Sequence, residues 1–288
     1  MKKIKYIIEA IFVYFFYLLS FLLGINLSRY LFSRIFIIFG PLFRSNQIIK
    51  QNLKKIDVNL EIKNIDNIIK KMWSNYGKVF VEYIYLKKFK QNKNHIKIKN
   101  EKILDNLSRS GKPVVFVSGH FANFELMSME ITKKNIKLAT IYRPLNNFLL
   151  NPFMEYLRKK YICPNQIKKG KEGLKNLISF IEKGYSIALM VDQRLSEGEN
   201  FNFFNYPALT TTLPAQIALK YNYQIIPIYI SRDKYDSFQM EIQEPILIES
   251  FDKDDNKKNL ITKKLNQIIE EMIKRDPSQW ILSHNRWK

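Results

Sequence analysis

Residues Val114–Met127 read VVFVSGHFANFELM. Four apolar residues, two of them β-branched neighbours, give way to Ser-Gly-His and then to a pattern with helical spacing. A short run that is apolar at every position, not at alternate ones, predicts a strand buried on both faces, as in a parallel sheet sandwiched by helices. His120 ends that strand, and Glu125 follows five residues later at the start of the next helix. The chain has three histidines, His95, His120 and His284, so a histidine closing so apolar a run stands out.

Working outward, the same alternation repeats. Apolar runs at Leu138–Tyr142, Ile187–Val191 and Ile225–Ile230 are separated by helix-like segments at Phe124–Lys134, Phe148–Lys160, Gly173–Lys183 and Pro214–Lys220. Met240–Ile248 reads as an edge strand, and Leu260–Lys274 as a closing amphipathic helix. Upstream, Ile65, Ile68, Ile69, Met72, Trp73 and Tyr76 recur at helical spacing over Asn46–Phe89. The expected fold class is α/β: a mixed, mostly parallel sheet covered by helices, behind an N-terminal hydrophobic membrane-anchoring helix. The boundary is placed so that 1–45 form the anchor and 46–288 one catalytic-sized domain.

The anchor rests on composition. Ala10–Leu23 (AIFVYFFYLLSFLL) carries no charge, and with its neighbours approaches the roughly 20 residues that cross a bilayer, although Glu9 shortens the clean run. Leu27–Phe43 mixes Arg29 and Arg34 with aromatic and aliphatic residues, which suits a helix lying in a headgroup layer. A buried hairpin of core helices is the competing reading. Basic residues flank the apolar run on both sides, so charge does not orient a span, and a shallow or re-entrant anchor fits better than a clean crossing.

Lys and Arg number 47 against 26 Asp and Glu, a formal net charge of +21. Such a surface attracts anionic membranes and acidic polymers alike. With one cysteine, Cys163, and three histidines, a structural zinc site or disulfide scaffold is excluded, and no metal or cofactor is expected.

Placed in a loop before a helix amino terminus, an imidazole is held neutral while a carboxylate in the first turn is favoured as the anion. A neutral His120 whose other nitrogen donates to Glu125 would be a general base with a fixed tautomer, able to take a proton from a hydroxyl attacking a thioester. Further polar residues close the later strands, where ligands gather in open α/β sheets. Arg143, in YRPLNN, is a natural clamp for a phosphate or a developing oxyanion, with Asn147 nearby. Asp192 and Gln193 follow the third run, and Asp192 is more than a turn residue only if something basic faces it. Thr210–Thr212 suit capping of the next helix. The closing WILSHNRWK, with Arg286, suits a headgroup layer or closure of the site. A hydrolase would need a nucleophile elbow, and the nearest stretch, GYSIA at Gly184–Ala188, lies in a strand pattern without the second glycine.

Taken together, GHFANFE (119–125), YRPLNN (142–147), VDQ (191–193), FFNYPALTTTLPAQIALKY (203–221), IIPIY (225–229) and WILSHNRWK (280–288) resemble, in order, the signatures of the bacterial lipid A late acyltransferases. Ala122 and Phe124 replace a glycine and a tryptophan common in that family and leave His120 and Glu125 in place. The resemblance implies an acyl carrier protein thioester as donor, a hydroxyl of a Kdo-bearing lipid A precursor as acceptor, and a bacterial inner-membrane enzyme with its site on the cytoplasmic face. Inner-membrane lipids would be partners and nucleic acid would not. It also implies catalytic roles for His120 and Glu125, with Arg143, Asn123, Asn147, Asp192, Gln193 and Arg286 as the substrate-binding set. An acyltransferase acting on lysophosphatidate or another glycolipid is the alternative.

Overall fold

The structure, a computed structural model, describes residues 2–92, 94–248 and 256–288. Its first helix, α1 (Lys2–Phe43), is broken at Gly24, where φ is +74° and ψ 164°. Glycine adopts that backbone without a Cβ penalty. The chain turns back on itself there: Ser28 Oγ donates to the carbonyl of Ser20 at 2.9 Å, and the rings of Phe16 and Phe32 stand 5.4 Å apart. In a straight helix those pairs would be separated by roughly 12 and 24 Å. The expected N-terminal apolar helix is present, and it is bent at Gly24 into a helical hairpin.

Only part of that hairpin is covered. Its second arm packs on α3 (Ile62–Glu82), with Phe32 wholly buried and Phe32, Phe36 and Tyr17 around Phe80. The approach is close enough that a Cβ on Gly77 would lie 2.2 Å from the Phe32 carbonyl oxygen. The first arm leans on the segment after Arg143, where Tyr14 donates to the Leu149 carbonyl at 2.8 Å and Asn147 Nδ2 donates to the Tyr6 carbonyl at 2.9 Å. Its outer face, including Ile11, Phe12, Phe15, Leu18, Phe21 and Leu22, is exposed. Along its most apolar stretch α1 is just 17 % buried, so that part of the hairpin is largely uncovered.

The remainder of the chain is an α/β unit. After α2 (Asn46–Ile56), α3 and α4 (Leu86–Gln91) come β1 (Ile96–Lys99), α5 (Lys102–Ser110), β2 (Val114–Ser118), α6 (Glu125–Lys133) and β3 (Leu138–Tyr142). They are followed by α7 (Asn151–Leu157), a π-helical turn at Arg158–Ile162, β4 (Asn165–Lys168), α8 (Lys171–Glu182) and β5 (Ser186–Met190). The last third holds a hairpin of β6 (Glu199–Phe203) and β7 (Tyr206–Thr210), then α9 (Leu213–Tyr221), β8 (Gln224–Arg232), β9 (Phe238–Ile242) and α10 (Lys257–Arg275).

Seven strands form one sheet in the order β1-β9-β8-β2-β5-β3-β4, parallel at every junction except β8 with β9. Both faces are buried. Val115, Val117, Ile187, Leu189 and Ile225 point to a core shared with α2, α3, α9 and α10, while Phe116, Ala188, Ile226 and Ile228 point to one shared with α4 and α6.

Two expectations are corrected. The strand anticipated over Met240–Ile248 is β9, shifted to Phe238–Ile242 and internal; the edges are β1 and β4. Their sequences, IKIK and NQIK, lack an apolar run because an edge strand has one side open to solvent. The β6–β7 hairpin was also not anticipated; its two-residue turn, Phe204-Asn205, has φ of +50° and +63°, the type I′ geometry.

Gly77→Ala should force the second arm of α1 away from α3. We expect a loss of about 1–3 kcal/mol, the usual cost of overpacking, read as a lower thermal midpoint of the detergent-solubilised protein.

Candidate active site

The parallel pairing of β2 with β5 builds the centre of the site. Ser118 is in register with Met190, so the two strands release His120 and Asp192 two residues later at matching heights. Val191 N–H donates to the Ser118 carbonyl at 2.9 Å and extends the pairing by one step. The neighbouring β3 ends at Tyr142 and delivers Arg143. Three adjacent strands thus aim their carboxyl ends at one place, where α/β sheets bind ligands.

Asp192 holds the histidine. Its Oδ1 lies 2.8 Å from His120 Nδ1, and its Oδ2 accepts from the His120 backbone N–H at 2.9 Å and from Trp280 Nε1 at 2.8 Å. Burial of this fully enclosed carboxyl disfavours its charge, but the imidazole, the hydrogen bonds from His120 and that from Trp280 prevail and hold its pKa down to about 2. An ionised Asp192 can only accept, so Nδ1 carries a proton and Nε2 is the ring nitrogen left free to meet a ligand. That nitrogen has no partner among the described residues, and His120 lines the main cavity, of about 420 Å³.

The expectation that Glu125 would orient His120 is not met. Glu125 opens α6, but its Oε1 accepts from Tyr83 Oη at 2.7 Å and Arg158 Nε at 2.7 Å. Arg158 NH2 adds a contact at 2.6 Å. The two donors draw the carboxylate away from the imidazole, while Oε2 has no partner among the described residues and the side chain still lines the cavity. Burial pushes the Tyr83 phenol up, and the adjacent Glu125 adds to it, so it remains a donor. Glu125 raises the pKa of Arg158 despite burial, keeping the guanidinium charged.

The other candidates divide. Arg143 and Gln193 line the cavity, and Arg143 is exposed with no ion pair or hydrogen bond among the described residues. Asn123 is buried and donates to Glu82 Oε2 at 2.9 Å. Asn147 secures α1 through Tyr6 and Glu9 and does not line the cavity. Arg286 is fully enclosed: its guanidinium donates to the Leu209 carbonyl and Thr210 Oγ1, both at 2.7 Å, and lies over Phe203. It braces the β6–β7 hairpin and cannot reach the cavity. Of the threonines, Thr212 is the N-cap residue of α9 but its side chain makes no capping hydrogen bond; Thr211 Oγ1 accepts from Leu213 N–H at 3.3 Å instead, so the expected cap is not formed.

Two contributors, Tyr83 and Arg158, carry no readable signal in the sequence, whereas the indole of Trp280 belongs to the closing segment, which suits a headgroup layer or closure of the site. Each acts from a distant part of the chain. Phe121 forms a bridge with Trp280, and Ala122 N–H donates to the Gln279 carbonyl at 2.8 Å, so the C-terminal segment is woven into the site. Arg194 extends that seam, its N–H donating to His284 Nε2 at 3.0 Å. Burial lowers the pKa of His284, keeping Nε2 an acceptor.

The cavity lining has two characters. Ile141, Ile162, Ile167, Leu174, Leu177, Leu189 and Leu213 contribute apolar surface, and Arg143, Lys168, Lys169 and Arg194 contribute positive charge. An imidazole with one ring nitrogen unpartnered among the described residues, lining a cavity with apolar and positively charged side chains, has the chemistry to take a proton from a hydroxyl. The chain belongs to the bacterial lipid A biosynthesis acyltransferase family, which it matches over residues 1–288. Among curated relatives it is 26 % identical over 193 residues to the lipid A biosynthesis palmitoleoyltransferase of Escherichia coli K12, covering 64 % of this chain and 60 % of that protein. The lipid A biosynthesis acyltransferase of Shigella flexneri gives the same identity and coverage, so the matched region spans about three fifths of the length of either relative.

Asp192→Asn removes the acceptor that fixes the tautomer. We expect turnover to fall by about 10²-fold or more. The folded pKa is depressed, so the carboxylate's stabilisation is complete above pH ~4 and lost as pH falls towards 2; by linkage it is worth about 2 kcal/mol. Urea titrations between pH 4 and 2 should therefore show wild type losing stability faster than Asp192→Asn.

Proposed function

We propose that this protein transfers a fatty acyl chain from an acyl carrier protein thioester to a hydroxyl of a Kdo-bearing lipid A precursor. The observation that carries the reading is His120, with Nδ1 held by buried Asp192 and Nε2 unpartnered among the described residues, lining a cavity that mixes apolar and cationic side chains. Family membership supports acyl transfer in lipid A biosynthesis, and the two relatives' names point the same way.

In this reading the acceptor hydroxyl donates to His120 Nε2, which removes its proton as the oxygen attacks the thioester carbonyl carbon. The negative charge that develops on the carbonyl oxygen falls to Arg143, which has no competing ion pair, and to the other cations that line the cavity. Collapse breaks the carbon–sulfur bond, and the imidazolium returns its proton to the departing thiolate. The proton and electron pairs balance without metal or redox cofactor. Glu125, its Oε1 held by Tyr83 and Arg158, uses Oε2 to orient the acceptor, and Gln193 is placed to assist. The apolar side chains of the lining take the acyl chain.

The exposed face of the α1 hairpin supports membrane association, and a cytoplasmic face of the inner membrane is where carrier-bound acyl chains and the precursor would meet. Basic residues serve both the anionic bilayer and the acidic carrier.

Mass spectrometry of the acceptor decides the matter. Detergent-purified protein, acyl carrier protein thioesters of several chain lengths and the tetra-acylated precursor should yield a gain of one acyl mass, absent with His120→Ala, which should still co-sediment with vesicles. Acylation of lysophosphatidate instead would retain the base and replace the acceptor; no product with either would refute the proposal. Arg143→Ala should lower the rate by about 10-fold or more, as expected for loss of an oxyanion partner; unchanged turnover would remove Arg143 from the mechanism.

A further inference from the structure

The buried carboxylate of Glu82 has no place in the chemistry above, yet it lies between the hairpin and the catalytic loop. It ends α3 and is fully enclosed. Its Oε1 accepts from Arg29 Nε at 2.7 Å and from Arg232 NH1; its Oε2 accepts from Arg232 NH2 at 3.0 Å and Asn123 Nδ2 at 2.9 Å. Arg29 comes from the second arm of α1 and Arg232 from the end of β8. Both guanidinium groups lie over aromatic rings, Arg29 over Phe89 and Phe238 and Arg232 over Phe238. Each ionic group therefore depends on the others for solvation.

Asn123 is the far end of this relay. It is 1 % exposed, and its Oδ1 has no partner, so Glu82 is its side chain's sole hydrogen-bond partner among the described residues. It lies in the middle of the loop that runs from His120 to Glu125. Ala122 beside it has φ of +44°, a conformation that an L side chain keeps only when its surroundings enforce it. Phe124 on the other side packs edge-on against the His120 ring, with centroids 4.6 Å apart.

We infer that the N-terminal hairpin is part of the active site: Arg29, acting through Glu82 and Asn123, is a positioning residue for the loop that presents His120 and Glu125. With Arg29 gone, the Glu82 carboxylate recentres on Arg232, Asn123 loses its anchor, and Phe124 no longer fixes the imidazole. The catalytic consequence rests on the acyl-transfer reading; the coupling between hairpin and loop does not.

The test compares full-length Arg29→Met with Arg34→Met, which removes an exposed charge from the same arm. Arg29→Met should lower kcat by roughly tenfold to a hundredfold, the scale of a slightly misplaced catalytic group, with KM for either substrate changed by less than about threefold. Hydrogen-exchange mass spectrometry should show faster exchange in the peptide covering 119–127, and vesicle co-sedimentation should persist. Arg34→Met should match wild type in kcat and in loop exchange. Asn123→Ala should reproduce the Arg29→Met pattern from the other end. Should Arg29→Met fail to fold, Arg29→Lys, which keeps the charge but not the planar fork, carries the same comparison. Equal kcat in Arg29→Met and Arg34→Met, or a lost kcat with unchanged loop exchange, would overturn the inference. If wild type transfers no acyl chain, the functional reading falls, and loop exchange alone then judges the coupling.

Discussion

A carboxylate with no access to water persists only where every charge-bearing oxygen is met by donors, and Asp192 is such a group. Its two oxygens accept from one imidazole, one backbone amide and one indole, contributed by β2's trailing loop and the C-terminal segment. Leaving any of those donors unpaired would cost about 1–3 kcal/mol, and stranding the charge considerably more. The constraint runs both ways: β2 and β5 must pair in their observed register for His120 to reach Asp192, and residues 279–280 must close over Phe121 and Ala122 for Trp280 to do so. Catalytic geometry and the closure of the fold are one requirement.

The loop between His120 and Glu125 is gripped on its other side by a second enclosed carboxylate. Asp192 holds its first residue and Glu82 its middle, while Tyr83 and Arg158 hold its last. Tyr83 follows Glu82 directly, so the end of α3 and the residue after it supply two of the four fixing residues. That explains why a seven-residue stretch from Gly119 to Glu125 tolerates a positive φ at Ala122 with neighbours that are buried almost throughout. Gly119 contributes by absence: a Cβ there would stand 2.6 Å from the Phe121 ring and 3.3 Å from Asp192 Cβ.

Which parts of this could be read in the sequence follows from what each part is made of. β2, β3, β5 and β8 are legible because a strand buried on both faces must be apolar along its length, and the helices between them follow from spacing. β1 and β4 carry alternating or polar residues that a solvent-exposed helix turn would show equally well. His120 is legible because it interrupts an apolar run, and Asp192 is legible as a residue that needs a basic neighbour. That the neighbour is His120 depends on strand order, which no local pattern encodes. Glu125 was assigned to the imidazole by proximity along the chain; the geometry favours Tyr83 and Arg158, 42 and 33 residues away, because they offer stronger donors to the same oxygen. Arg286 and Asn147 sit in motifs whose resemblance implies substrate binding and are structural ties in space.

The distribution of charge bears on how the site works. A net charge of +21 spread evenly would mean little beyond solubility, but Arg143, Lys168, Lys169 and Arg194 all line the same cavity while Arg29, Arg158 and Arg232 are committed to buried carboxylates. The committed cations are fixed by their partners and serve the architecture. Of the cavity-lining ones, Lys168 shares Glu155 at 3.2 Å and Arg194 donates to the Lys288 carbonyl, whereas Arg143 is held by nothing among the described residues. Its field is undischarged, and it stands at the end of β3, next to the strand that delivers Asp192. A charge so placed gains most when negative charge develops opposite it, because no ground-state partner has to be displaced. The first arm of the hairpin packs on the segment that follows Arg143, so the apolar face of α1 and the cationic end of β3 belong to one region of the fold.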